Sequence, residues 1–153
     1  MIFISGNTPS LKNGKVNMIY HPKTVTKYLR ALNIQNYSAS KKTVKGYRDV
    51  NKPNLFKQAV GDYFKDRKYP ILLGLHFVRN SRRSFDMSNA CHIIHDLLTA
   101  HGYIEDDNAK CLIPFPLMLN GHWYSIDKKN PGTWLKIFEE EELNFPNIKI
   151  IGE

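Results

Sequence analysis

Asp86, Asp106 and Asp107 stand either side of an apolar-striped segment, with the doublet Arg82-Arg83 just ahead of the first. Ser88, Asn89, His92 and Asp96 lie inside that segment, and Glu105 precedes the acidic pair. Carboxylates at the two ends of one helix can converge on a divalent cation when the chain turns back. Magnesium is held in this way, by one or two carboxylates plus waters and substrate phosphate oxygens. Asp86 and Asp107 are the minimal pair. In a basic protein the chemistry this suggests is metal-assisted hydrolysis of a phosphodiester. Each position also has a plainer reading: Asp86 as a helix N-cap, Asp106-Asp107 as a polar turn, Asp96 as a structural hydrogen-bonding group, His92 as an exposed helix residue.

The elements that must position these residues follow from pattern. Residues 88–101 read as a helix, with Ala90, Ile93, Ile94, Leu97 and Leu98 on one side and Asn89, His92 and Asp96 on another. Over ten residues that helix rises roughly 15 Å. Gly102 suits the position that stops it. Pro70–Val78 is a strongly apolar strand that delivers Arg79, Arg82 and Arg83 next to Asp86. Residues 2–7 read as a first strand, 8–21 as a basic loop and 23–32 as a helix behind Pro22. Residues 33–51 read as a long polar loop, 53–67 as a helix, and 111–118 as a strand broken by Pro114 and Pro116. A last strand near 134–140 follows the turn at Asn130-Pro131-Gly132. This order predicts an α/β or α+β fold, a small mixed sheet packed with two to three helices. One domain over 1–153 is expected, with a basic insertion or loop around 22–51.

Charge is distributed unevenly. Residues 1–85 hold 17 Lys+Arg against 3 Asp+Glu, whereas residues 86–153 hold 5 against 11. A polyanion-binding front half and an acidic centre behind it would give this asymmetry. Lys12, Lys15, Lys41, Lys42, Lys45, Arg48, Arg79, Arg82 and Arg83 are the DNA-contact candidates, and Tyr20, Tyr37 and Tyr47 candidates for stacking on bases. Glu139–Glu142 read as a solvated face or strand end. No apolar run approaches the roughly 20 residues of a membrane span, and the N-terminus lacks the basic start of a signal peptide. With Cys91 and Cys111 alone there is no disulfide framework, so a cytoplasmic location is expected. A zinc site could pair Cys91 with His95, using His76, His101, His122 or Cys111 as partners, but no CxxC or HxxxH pair supports it. There is no GxxxxGK[ST] loop for a nucleotide.

The segment 82–111, RRSFDMSNACHIIHDLLTAHGYIEDDNAKC, resembles the core of the RusA-type Holliday junction resolvases. The family pattern is a basic doublet, D-x-D-N, a Lys three residues on, an Asp four further, a Gly, then D-D. Asp86, Asn89, Asp96, Gly102, Asp106 and Asp107 match it without a gap. Thr8–Asn13 and Gly46–Asp49 are similar to the family's N-terminal loop and its Tyr-Arg. The resemblance implies a RusA-like fold and a homodimeric endonuclease of the kind phages and prophages carry. It would resolve four-way DNA junctions in recombination and repair with Mg²⁺ or Mn²⁺. Asp86 and Asp107 would hold the metal with help from Asp106; Asp106 and Asp96 would support the site or its helix, and Asn89 would orient the Asp86 turn. Ser88 replaces the pattern's second Asp and His92 its Lys, so both stand among the candidate catalytic positions and mark the departures. A hydroxyl ligates without charge, and His is mostly neutral at pH 7 where Lys is a fixed cation. Glu105 could supply the missing charge. The alternative is a junction- or DNA-binding protein of the same fold with attenuated or lost cleavage.

Overall fold

The computed structural model describes residues 1–10, 23–34, 36–39, 42–45, 49 and 51–143. An almost unbroken apolar run builds the central strand, β4 (Ile71–Arg79), which is buried along nearly its whole length. β7 (Gly132–Phe138) pairs antiparallel on one side of it, and β1 (Ile2–Ser5) pairs antiparallel to β7. On the other side β5 (Leu112–Pro116) and β6 (Ser125–Ile126) run parallel to β4, giving a five-stranded mixed sheet in the order β1-β7-β4-β5 with β6 on the end of β4. With three helices this is an α+β fold, as expected. Pro114 and Pro116 do not break β5. Leu117 N–H bonds the Leu75 carbonyl at 2.9 Å; by the two-residue alternation the proline positions then turn to the open edge, where a missing N–H costs nothing.

α1 (Lys23–Ala31) follows the helical period: Val25, Tyr28 and Leu29, with Leu32 just beyond, are buried. Asn33 ends it with φ 56° and staples the following chain, its Nδ2 donating to the carbonyls of Asp49, Lys52 and Pro53. Two expectations fail between these points. Residues expected to be one long loop include an antiparallel hairpin, β2 (Asn36–Ala39) with β3 (Lys42–Lys45). The helix expected over 53–67 is only α2 (Leu55–Val60), capped by the Asn54 side chain and stopped at Gly61, φ 51°. Phe64 still reaches the core, from a turn rather than a helix. At the far end Glu139–Glu142 are exposed; Glu140–Glu142 form a 3₁₀ turn, and Glu139 and Glu142 reach Arg67 and Lys136.

α3 (Met87–Ala100) is the crossover between the parallel strands β4 and β5, the kind of connection a parallel pair requires. Ala90, Ile94, Leu97 and Leu98 pack into the core with Phe56, Leu73, Leu75 and Phe77. Gly102, φ 76°, ends it as expected: Tyr103 N–H bonds the Leu98 carbonyl and Gly102 N–H the Thr99 carbonyl, a Schellman closure. Among the described residues no helix is long and apolar enough to cross a membrane.

Candidate metal centre

After the Schellman turn the chain folds back along α3 and carries Asp107 to the side of the helix. There it meets two imidazoles. Ligand atoms of His92, His95 and Asp107 all lie within 4.8 Å of one another. His92 and His95 are three residues apart, which puts them on one helix face; their rings sit 6.3 Å apart at 72°. His92 and Asp107 are exposed, whereas His95 is 6% exposed and its Nε2 is buried without a hydrogen-bond partner among the described residues. Burial, and then the neighbouring His92, push the His95 pKa down to about 4. At neutral pH it is therefore an uncharged imidazole, the form that ligates metals.

The other expected ligands lie elsewhere. Asp86 is the N-cap of α3, its Oδ1 accepting from Asn89 N–H at 3.1 Å, and it is not in the converging group. The group of three that converges is His92, His95 and Asp107 rather than a set built on Asp86. Asp106 is spent on its own turn: Oδ1 accepts from Asp107 N–H at 2.8 Å and Oδ2 from Asn108 Nδ2 at 2.9 Å. Those bonds, first the backbone one, hold its carboxyl below the usual range. Glu105 and Asp106 line a separate shallow cleft with Tyr69, Lys110 and Cys111, and Glu105 is not in the cluster it was expected to compensate. Ser88 is exposed in the first turn of α3, while Asn89 and Asp96 are half-buried on it.

The zinc partners weighed from sequence also separate. Cys91 is a free thiol whose pKa is raised to about 11 by burial and then by the Asp86 charge, and it is not in the converging group. His76 is buried with both nitrogens engaged, Nδ1 with the Leu117 carbonyl at 2.8 Å and Nε2 with Ser125 Oγ at 2.6 Å. His101 is held between the Leu97 carbonyl and Asn54 Nδ2. His95, read beside Cys91 at i, i+4, finds its partner at i−3 instead; the His92-x-x-His95 spacing was the sequence signal for it.

Among the basic candidates, Arg82 and Arg83 are exposed at the approach to α3. Arg79 is not on the open surface. It is 9% exposed, donates to the Thr8 carbonyl and stacks over Phe85, 4.5 Å from the ring centre. Burial lowers its pKa, yet a guanidinium stays charged; its role is to tie β4 to the segment after β1. Lys42 and Lys45 lie on β3, and Tyr37 on β2. Lys12, Lys15, Lys41, Arg48, Tyr20 and Tyr47 fall outside the described residues. Two aromatics that sequence reasoning passed over are exposed: Trp123 and Tyr124 are 51% and 48% exposed, and Tyr124 packs edge-on against Phe85, the neighbour of Asp86, at 5.2 Å.

No protein-family model, curated protein or solved structure matches the chain.

Proposed function

We propose that this chain is a metal-dependent endonuclease of the RusA type that acts on branched DNA, in particular four-way junctions, as a homodimer. The observation that carries the reading is the convergence of His92, His95 and Asp107 on the helix whose approach presents Arg82 and Arg83. A divalent ion held by such a set supplies a Lewis acid and an activated water for attack on a phosphodiester. The chain's own residues do the rest. Arg82 and Arg83 neutralise phosphates and set the backbone beside the site. The exposed rings of Trp123 and Tyr124 offer faces on which unpaired bases at a junction centre can stack. Two copies present two such sites to paired strands. The substrate class itself rests on the match of segment 82–111 to the resolvase pattern.

The test is metal-dependent nicking of a synthetic four-way junction, run with Mg²⁺, Mn²⁺ and Zn²⁺ in parallel, beside an Asp107→Asn variant. Nicking that needs the metal and Asp107 is the expected result. One observation favours a second reading: the Asp86 carboxylate caps α3, and Ser88 supplies no charge beside it. Salt-dependent junction binding with no nicking under any metal would establish that reading, a binding protein of this fold. Absence of junction binding at low salt would refute both.

A further inference from the structure

We infer that His92, His95 and Asp107 form a site for one Zn²⁺-class ion, rather than the all-oxygen Mg²⁺ site that the resolvase resemblance implies. Three observations carry this. First, two of the three donors are imidazole nitrogens. Imidazole suits zinc and its transition-metal neighbours, whereas Mg²⁺ takes oxygen ligands and keeps its waters. Second, His95 Nε2 is a buried polar atom with no hydrogen-bond partner among the described residues. Such an atom costs on the order of 1–3 kcal/mol if nothing meets it, and a bound metal would meet it. Third, the spacing is nearly right. Ligands about 2.0–2.1 Å from a tetrahedral zinc are roughly 3.3 Å from one another. The observed separations are within 4.8 Å, and His92 and Asp107, both exposed, can close the difference by rotating about their side-chain bonds while His95 stays fixed.

Three protein ligands leave a fourth position of a tetrahedral ion open, as in zinc sites that hold a water or a substrate oxygen; structural zinc sites close all four. The site faces solvent through His92 and Asp107, so an exchangeable ligand can reach it. Cys91, one residue from His92, is not part of the set.

The experiment uses the full chain, stripped with a chelator and titrated with Zn²⁺ against a chromophoric competitor, then with Co²⁺ as a spectroscopic probe. The expected result is one equivalent of Zn²⁺ bound far more tightly than Mg²⁺. Affinity should fall by more than about 100-fold in both His92→Ala and Asp107→Asn, since even changes behind the ligands cost up to about that much. Both side chains are exposed, so these variants do not put folding at stake. Co²⁺ should give the visible bands of a four-coordinate N/O site without thiolate charge transfer. Zinc uptake unchanged in His92→Ala and Asp107→Asn would overturn the inference, as would Mg²⁺ binding as tightly as Zn²⁺. Loss of binding in Cys91→Ser or His122→Ala, or a thiolate band with Co²⁺, would also overturn it. Because the readout is metal bound to protein alone, its failure is distinct from failure of the nuclease reading. Zinc binding without nicking would sink the nuclease and leave the metal site; Mg²⁺-dependent nicking without zinc binding would do the reverse.

Discussion

Replacing His95 with leucine is expected to make the metal-free protein more stable and the zinc-loaded protein less stable than the parent. His95 is buried, and its Nε2 has no hydrogen-bond partner among the described residues. An unsatisfied buried polar atom costs about 1–3 kcal/mol. Leucine removes that cost, but a shape change in a packed interior returns up to about 1.5 kcal/mol of it. The net is a gain of about 1 kcal/mol, which for a chain of this size raises Tm by roughly 2–4 °C. Zinc reverses the order. At a free concentration near 100 times Kd, binding to the native state alone adds about 2.7 kcal/mol to the parent and nothing to His95→Leu. Thermal or urea unfolding of both proteins, in chelator and in excess Zn²⁺, should therefore give curves that change places. A leucine variant less stable than the parent by 1 kcal/mol or so in chelator, with an intact zinc-induced shift, would refute the reasoning. His95 would then be an ordinary satisfied core histidine.

Four further outcomes follow from other parts of the structure. His101 donates from Nδ1 to the Leu97 carbonyl and accepts at Nε2 from Asn54, and burial, the larger effect, lowers its pKa from 6.5. The unfolded chain then binds a proton that the folded chain refuses, so its contribution is present above pH 6.5 and is lost as pH falls below it. His95 acts in the same direction, so it is the difference between the parent and His101→Gln in urea midpoints, at about pH 7.5 and about pH 5.5, that reports on His101; equal slopes would refute the assignment. At Gly132 an added Cβ would sit 2.0 Å from Phe3 Cζ and 2.7 Å from the Ile4 carbonyl oxygen. Gly132→Ala should therefore cost about 1–3 kcal/mol in chemical denaturation, and Phe3→Ala in the same chain should return part of it. Arg82→Ala with Arg83→Ala should leave stability within about 0.5 kcal/mol yet flatten the log K against log salt slope for junction binding by roughly 2. Arg79→Ala should instead show a stability loss of a few kcal/mol, because it strips the Thr8 carbonyl of its buried charged donor.

What was legible in the sequence is what periodicity encodes. β4 is an almost unbroken apolar run, and α1 and α3 repeat apolar residues at helical spacing, so their existence and approximate ends could be read directly. The β2–β3 hairpin could not, because Asn-Tyr-Ser-Ala and Lys-Thr-Val-Lys show too little apolar alternation to set a strand face. The overlong α2 has a different cause. Phe56, Val60 and Phe64 keep a helical interval, and all three do reach the core, but Gly61 takes a positive φ and ends the helix between them. In the site, Asp107 was named from its place after the return turn, and His92 because it stands where the pattern of the resembling family has Lys. Asp86 was a carboxylate with two possible uses, ligand or cap, and only coordinates show the cap. Asp106 likewise turned inward to its own loop, a local hydrogen bond that short polar side chains form readily.

The two departures from the resolvase pattern, Ser88 for Asp and His92 for Lys, read as losses when each is weighed alone: one carboxylate fewer and one fixed cation fewer. With His95 beside it, the histidine at 92 has a use of its own. A lysine at position 92 would place an ammonium against Asp107 and compete with any cation there. A histidine at the same place adds a neutral donor, and His95 adds a second from below. Two neutral nitrogens and one carboxylate leave a bound divalent ion with net charge +1, where three carboxylates would leave −1. A site of that charge polarises an incoming phosphate oxygen more strongly and needs less of a separate cation to hold it. On the zinc inference, then, His92 is not a lost cation but one donor of a nitrogen-rich site. His92→Lys should therefore abolish Zn²⁺ binding. If it instead left Zn²⁺ affinity unchanged, the imidazole at 92 would be a bystander.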